Sequence, residues 1–390
     1  MSQPSLATKF FIQILKKAKH GSIRVTFPDG KIEGYGEGPF ISNIEVKNWS
    51  AIDDIVNKGD IGLAEAVTRG EIIVDQLAAL VEWACLNDHS LAQALHGTWY
   101  GTLLYKLKHL LKSNSKNRAK KNIMAHYDLG NDFYKLWLDP SMTYSSALYN
   151  SGTENLENAQ MNKYDRLIEQ LDIRSEDHVL EIGCGWGGFF SRAIEKTGCR
   201  VTAVMNSPKQ ATYNRELIEK KGLAGHVDLK EMDYRDIEGR YDKIVSIEMI
   251  EAVGEQYWNQ YFQKIANSLR AKGSALIQGI TIRDDLFYSY RQKTDFIQNY
   301  IFPGGMLLAN SIFDKQSKEN GMKLSDQFEF GLSYAKTLAN WRTRFHEVRD
   351  QLDSMGFDES FIRMWDLYFC YCEGAFRAQR INVGQYMIVK

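Results

Sequence analysis

Residues 181–188 read Glu181-Ile182-Gly183-Cys184-Gly185-Trp186-Gly187-Gly188. Glycines spaced in this way let a backbone turn tightly and come close to a ligand. The run His178–Gly183 has strand character, and Phe189–Lys196 behind the glycines has helical spacing. Strand, glycine loop and helix in that order put free backbone amides at a helix N-terminus. The alternation continues outward from this loop. Arg200–Met205, Val227–Met232, Lys243–Met249 and Ser274–Ile280 read as further strands, with a helix over Gln256–Leu269. This pattern predicts an α/β, Rossmann-like fold with a doubly wound, mostly parallel sheet, whose ligands sit at the carboxyl ends of the strands.

By spacing alone, Gly183, Gly185 and Gly188 also satisfy the dinucleotide fingerprint G-x-G-x-x-G. A dinucleotide site expects an acid about 20 residues further on, to hold ribose hydroxyls. Here the second strand ends Val204-Met205-Asn206-Ser207-Pro208, without an acid. Glu181 instead stands two residues before the first glycine, where a methyltransferase places an acid near a methionine moiety. The loop is therefore read as an S-adenosylmethionine site built on Glu181, Gly183, Gly185 and Gly187. Asn206, Ser207 and Gln210 are expected to serve the ribose as neutral hydrogen-bonders. Asp233 and Tyr234, closing the third strand, are expected at the adenine.

The rest of the chain bounds this reading. In 390 residues, 44% are hydrophobic, 25% are charged and the net charge is −1, so overall charge names no partner. Apolar stretches reach about six residues, far short of the roughly 20 of a membrane span, and no signal-peptide core is present. Cys85, Cys184, Cys199, Cys370 and Cys372 are odd in number and form no C-x-x-C pair. That pattern points to a reducing compartment, the cytoplasm, with neither disulfides nor a metal site.

Three stretches differ in character. Residues 1–95 open on a basic amphipathic helix (Lys9, Phe10, Phe11, Ile14, Leu15, Lys16, Lys17, Lys19). Strands Ser22–Phe27 and Lys31–Gly36 follow around the turn Pro28-Asp29-Gly30, then helical periodicity from Trp49 to Cys85, which together predict a small α+β domain. Residues 96–125 are a basic amphipathic linker, with Lys106, Lys108, Lys112, Lys116, Arg118, Lys120 and Lys121 beside Leu103, Leu104, Leu107, Leu110 and Leu111. It reads either as a solvated connector or as a segment for an anionic lipid surface. No nucleic-acid recognition fold accompanies the charge, so no nucleic-acid partner is expected. Residues 126–390 form the third stretch.

That third stretch carries a resemblance. His126-Tyr127-Asp128-Leu129-Gly130-Asn131-Asp132-Phe133-Tyr134, Leu138-Asp139-Pro140-Ser141-Met142-Thr143-Tyr144-Ser145, the glycine loop and Glu248-Met249-Ile250-Glu251-Ala252-Val253-Gly254 resemble the cyclopropane fatty acid synthase and mycolic acid methyltransferase family. So do Tyr300-Ile301-Phe302-Pro303-Gly304-Gly305, Phe330-Gly331 with Tyr334, and Cys372-Glu373-Gly374-Ala375-Phe376-Arg377, in the same order. The resemblance implies a methyltransferase catalytic domain with a helical cap and a lipid-interaction role for residues 1–95. Its substrate is implied to be an unsaturated acyl chain on a phospholipid, met by a cytoplasmic enzyme lying peripherally on the inner membrane surface. Homodimerisation rests on the resemblance alone. Tyr127, Tyr144 and Ser145 are implied to cover the cofactor, and Phe287, Tyr288, Tyr290, Phe296, Tyr300 and Phe302 to wall an acyl channel.

An isolated alkene has no proton whose removal would activate it, so catalysis must come from alignment and a dry site. Methyl transfer leaves a carbocation, and the base that then removes a proton decides between a cyclopropane and a methyl-branched or methylenated chain. In cyclopropane-forming relatives that base is bicarbonate, held by a cysteine, a glutamate, a histidine and a tyrosine. The resemblance carries these roles to Ser146, Glu251, Gln278 and Tyr334, so two of the four types differ. Glutamine does not carry a proton near pH 7 as histidine does. Either bicarbonate still binds, or Glu251 acts directly as the base. Cys372 matches a cysteine once suspected as a nucleophile and is read as a packed thiol near the site. Two other readings remain at this point: methylation of a small amine, and a catalytically silent lipid-binding protein.

Overall fold

The computed structural model describes residues 4–88 and 129–390. Tyr127 and the basic stretch 96–125 lie outside the described residues. The described chain divides into two compact units, one of residues 4–88, 292–301 and 338–380, the other of residues 129–291, 302–337 and 381–390.

The first unit opens with the helix Leu6–Leu15, whose N-cap Ser5 accepts from the Thr8 backbone N–H. A four-stranded sheet follows: β1 (Gly21–Thr26), β2 (Ile32–Glu37), β3 (Phe40–Val46) and β4 (Ile72–Val74), in the order β2-β1-β3-β4. β1 and β2 form the hairpin read from the Pro28-Asp29-Gly30 turn; β3 was not read as a strand. The periodicity from Trp49 resolves into helices Trp49–Lys58, Asp60–Thr68 and Leu77–Leu86, interrupted by β4. Residues 338–380 also belong to this unit, although the sequence division groups them with the catalytic region. Their helix Glu359–Arg377 packs against Leu77–Leu86. A Cβ at Gly374 would lie 2.6 Å from the Ala78 carbonyl oxygen, so glycine permits that close crossing.

The second unit is built on seven strands: β5 (His178–Ile182), β6 (Arg200–Met205), β7 (Val227–Glu231), β8 (Tyr241–Ile247), β9 (Leu269–Ile282), β10 (Lys323–Glu329) and β11 (Ile381–Val389). Their order is β10-β11-β9-β8-β5-β6-β7. β7, β6, β5, β8 and β9 are mutually parallel, whereas β11 and β10 add on antiparallel. This is the α/β, Rossmann-like architecture. Side chains alternate across the sheet and supply a core on each face. Val179, Val201, Ala203, Val245 and Leu276 join Leu167, Phe189, Phe190 and Ile194 on one side. Leu180, Val204, Ile244, Ala275 and Ile277 join Tyr261, Phe262, Ile265 and Phe313 on the other. Each Val, Leu, Ile or Phe side chain among these contributes roughly 1.5–3 kcal/mol on burial.

Candidate active site

The chain leaves the central β5 toward β6 and β7, then returns to build β8 and β9 on the other side. At the switch between β5 and β8 the loops part, which opens a crevice at the carboxyl ends. The pocket lies there. Glu181, Gly183 and Gly185 line it from β5, Asn206 and Gln210 from the end of β6, Asp233 and Tyr234 from the end of β7, and Glu248 from the end of β8. Tyr144 and Ser145 line it as well. Nine residues expected at the cofactor thus converge on one cavity. Ser207 instead caps the helix Pro208–Lys220, accepting from the Gln210 backbone N–H at 3.4 Å, and Gly187 caps the helix Gly188–Thr197 behind the loop.

Two polar atoms in this cavity are buried without a partner among the described residues: Glu181 Oε2 and Tyr234 Oη. Burial without a hydrogen bond is costly, so they fit a ligand rich in polar groups, as S-adenosylmethionine is. Burial pushes the Glu181 carboxyl up to about 8, against the pull of Lys163. Asp233 is less open than expected: its Oδ1 and Oδ2 accept from Arg235 Nε and NH2, each at 2.7 Å. An aromatic wall stands beside Tyr144. The ring of Tyr134 lies 5.0 Å from Trp186 and 5.4 Å from Tyr144, and Trp137 lies 5.6 Å from Tyr144.

Of the four residues expected around an anion, three meet a side chain of this protein. The Ser146 backbone N–H and Gln278 Nε2 both donate to Glu248 Oε1 at 2.8 Å, and the Tyr334 hydroxyl donates to Glu248 Oε2 at 2.7 Å. The Ser146 hydroxyl turns away and donates to the Ala147 carbonyl at 3.0 Å. Glu251 faces β9: its Oε1 accepts from the Ile280 N–H at 2.5 Å, and its Oε2 is buried and unpartnered. Burial, and then the neighbouring Glu248, push its carboxyl up to about 8. Cys372 belongs to the other unit, and burial holds its thiol above the usual value, the reverse of an activated nucleophile.

The aromatics expected along an acyl channel have mixed places. Phe287 and Tyr290 pack on the core of the sheet, and Tyr288 is 71% exposed. Phe302 approaches Tyr144 at 6.5 Å, whereas Phe296 and Tyr300 belong to the other unit.

One functional candidate was missed. Lys163 is fully buried, its Nζ donates to Ser145 Oγ at 2.7 Å, and burial lowers its ammonium to about 7. The signal was present: on the helix Leu156–Gln170, Lys163 shares the buried face with Leu156, Ala159, Tyr164 and Leu167. A lysine at such a position must serve something inside.

The raised carboxyls give a pH dependence. Glu181 and Glu251 titrate near 4.5 when unfolded and at about 8 when folded. Their stabilising contribution is complete below the lower value and is lost as pH rises through the upper one. Lys163 is charged in both states below its folded value of about 7, so it does not oppose them there. The unfolding free energy is therefore expected to fall from pH 5 to pH 7, by about 1 kcal/mol per pH unit for each carboxyl, and the melting temperature with it. Calorimetry of the parent and of the E181Q/E251Q double variant checks this; the variant should have a shallower slope, with Asp295, pushed up to about 7 by burial, still contributing, and a parent that stabilises over that range contradicts it.

Residues 114–386 match the mycolic acid cyclopropane synthetase family, and residues 10–95 match a domain family of unknown function. The chain is 34% identical over 385 residues to the tuberculostearic acid methyltransferase UfaA1 of Mycobacterium tuberculosis, covering 96% of this chain and 89% of that protein. It is 33% identical over 349 residues to the cyclopropane-fatty-acyl-phospholipid synthase of Escherichia coli K12, covering 88% and 87%. Among solved structures, the mycolic acid cyclopropane synthase CmaA1 complexed with SAH and CTAB superposes with a TM-score of 0.65 at 28% identity, over 70% of this chain and 98% of that one. Coclaurine N-methyltransferase, at 18% identity and a TM-score of 0.64, shares the fold.

Proposed function

This chain belongs to the mycolic acid cyclopropane synthetase family of S-adenosylmethionine-dependent enzymes that modify unsaturated acyl chains, and from that premise we propose that it works on acyl chains of phospholipids at a membrane surface. The observation that carries the reading is the pocket at the strand ends, where Glu181 Oε2 and Tyr234 Oη are buried without partners beside the glycine loop. When bound there, S-adenosylmethionine supplies an electrophilic sulfonium methyl. The chain's own part is to hold it between the loop of Gly183 and Gly185 and the opposite wall of Tyr144 and Ser145, and to keep the reacting carbons dry. Asn206, Ser207, Gln210, Asp233 and Tyr234 are proposed for its nucleoside end, with Ser146, Glu251, Gln278 and Tyr334 around the reacting carbons.

Two features support the membrane reading. Leu6 and Phe10, one turn apart on the first helix, are 85% and 50% exposed, among exposed Lys9, Lys16, Lys17 and Lys19. Apolar residues projecting between cations suit the headgroup boundary of an anionic leaflet. No helix among the described residues is long and apolar enough to cross a membrane, so the proposed attachment is peripheral.

The test is mass spectrometry of fatty acids after incubation with unsaturated phospholipid vesicles and methyl-deuterated S-adenosylmethionine. Label is expected in the acyl chains. A ring or an exomethylene keeps two deuteriums, because the incoming methyl loses one hydrogen; a methyl-branched alkene keeps all three. Bound cofactor with no label in lipid overturns the reading.

A further inference from the structure

Glu248 stands just beyond β8 on the pocket wall, with a left-handed backbone (φ 49°). That conformation is strained in a residue with a side chain, and it persists only where the surroundings enforce it. Here they are the donors around the carboxylate. Oε1 accepts from the Ser146 N–H and Gln278 Nε2, and Oε2 from the Tyr334 hydroxyl. The Glu248 backbone N–H in turn donates to the Gln278 carbonyl at 2.8 Å.

The Gln278 amide is itself oriented. Its Oε1 accepts from Gln385 Nε2 at 3.1 Å, and Gln385 Oε1 accepts from Arg166 NH1 at 2.7 Å. Gln278 and Gln385 are paired across β9 and β11, and both are buried. A line of dipoles thus runs from a guanidinium to the carboxylate and presents the Gln278 NH2 to it. All three groups that contact the carboxylate are neutral donors, which hold a negative charge without cancelling it. A carboxylate has about four acceptor positions; among the described residues Oε2 uses one of its two.

We propose that Glu248 is the proton acceptor of this enzyme, a built-in carboxylate standing where a bound bicarbonate would otherwise be held, so that turnover needs no added anion. The proposal rests on the reading of the pocket as a methyl-transfer site on unsaturated acyl chains. Once one alkene carbon has gained the methyl, its neighbour is cationic. Glu248 Oε2 takes a proton from carbon and the C–H bond breaks. The released electron pair closes the ring if the proton leaves the new methyl, or forms a double bond if it leaves an adjacent carbon. Glu248 becomes a carboxylic acid and returns its proton to water after the product departs. Glu251, held up by burial and by the charge on Glu248, is the neutral member of the pair.

The experiment uses the full chain on unsaturated phospholipid vesicles at saturating S-adenosylmethionine, in buffer stripped of carbon dioxide and in the same buffer with bicarbonate added. The parent is expected to turn over within about twofold in the two buffers. Glu248→Gln is expected to lose about 100-fold or more in turnover, the usual worth of a positioned base. A parent whose rate collapses without bicarbonate overturns the proposal, as does a Glu248→Gln variant with parental turnover, which transfers the role to Glu251. If that variant does not fold, Glu251→Gln is read beside the bicarbonate comparison: turnover kept within about tenfold is expected, and a loss of about 100-fold overturns the proposal. A parent that labels no lipid in either buffer fails at the underlying reading, a result distinct from bicarbonate dependence.

Discussion

Gly187→Ala should lower the melting temperature by about 10 °C and abolish cofactor binding. Gly187 is left-handed (φ 83°), and a Cβ there would lie 2.5 Å from Phe190 Cζ and 2.7 Å from Asn214 Oδ1. Neither neighbour has room to yield. Phe190 and Asn214 are both fully buried, and Asn214 Nδ2 donates to the Gly185 carbonyl at 2.8 Å. The left-handed conformation costs roughly 1–2 kcal/mol with a side chain, and overpacking a dense core adds about 1–3 kcal/mol. At about 2–4 °C per kcal/mol for a domain of this size, the sum gives the expected shift. Binding fails through the same contact, because displacing Asn214 frees the carbonyl that shapes the loop at Gly185. Calorimetry reads both quantities. A variant with parental melting temperature and parental affinity would show that the loop absorbs a methyl group, contrary to the packing.

The parts of this site that sequence made legible are those fixed by local chemistry. A glycine loop between strand and helix needs no distant partner to be recognised, and Glu181 was placed by its spacing from Gly183. The strands β5, β6 and β8 were readable because both of their faces are buried, which gives continuous apolar runs. Helix Glu359–Arg377 was harder, since its partners Leu77–Leu86 lie nearly 300 residues earlier and periodicity does not say which core a helix joins. Glu248 and Glu251 are hard to tell apart in sequence for a related reason. Three residues apart beyond the same strand, the two acids look alike in sequence. What separates them is which donors reach them: the Ser146 N–H, Gln278 and Tyr334 converge on one, whereas backbone amides, the Ile280 N–H among them, serve the other. That convergence joins residues from four distant segments, so no window of sequence displays it.

Lys163→Met should cut turnover at pH 7 by about 100-fold without lowering the melting temperature. Lys163 is fully buried and touches Ser145 Oγ, and its charge favours the ionised forms of both Glu248 and Glu181. Burial raises the Glu248 carboxyl and the Lys163 charge opposes that rise; a protonated acid accepts nothing from carbon. At an effective dielectric constant near 20, two unit charges about 4–8 Å apart interact by about 2–4 kcal/mol, or about two pH units on a carboxyl. Removing the ammonium should therefore move the acid limb of the pH–rate profile upward, by about two units. Stability should go the other way. Methionine fills a similar volume and leaves no amine to desolvate, and exchanging a buried charge for an apolar side chain is commonly neutral or stabilising. The two readouts separate the roles. A lysine that merely packs would give a lower melting temperature and an unmoved pH profile, whereas one that ionises the proton acceptor moves the profile and spares the fold.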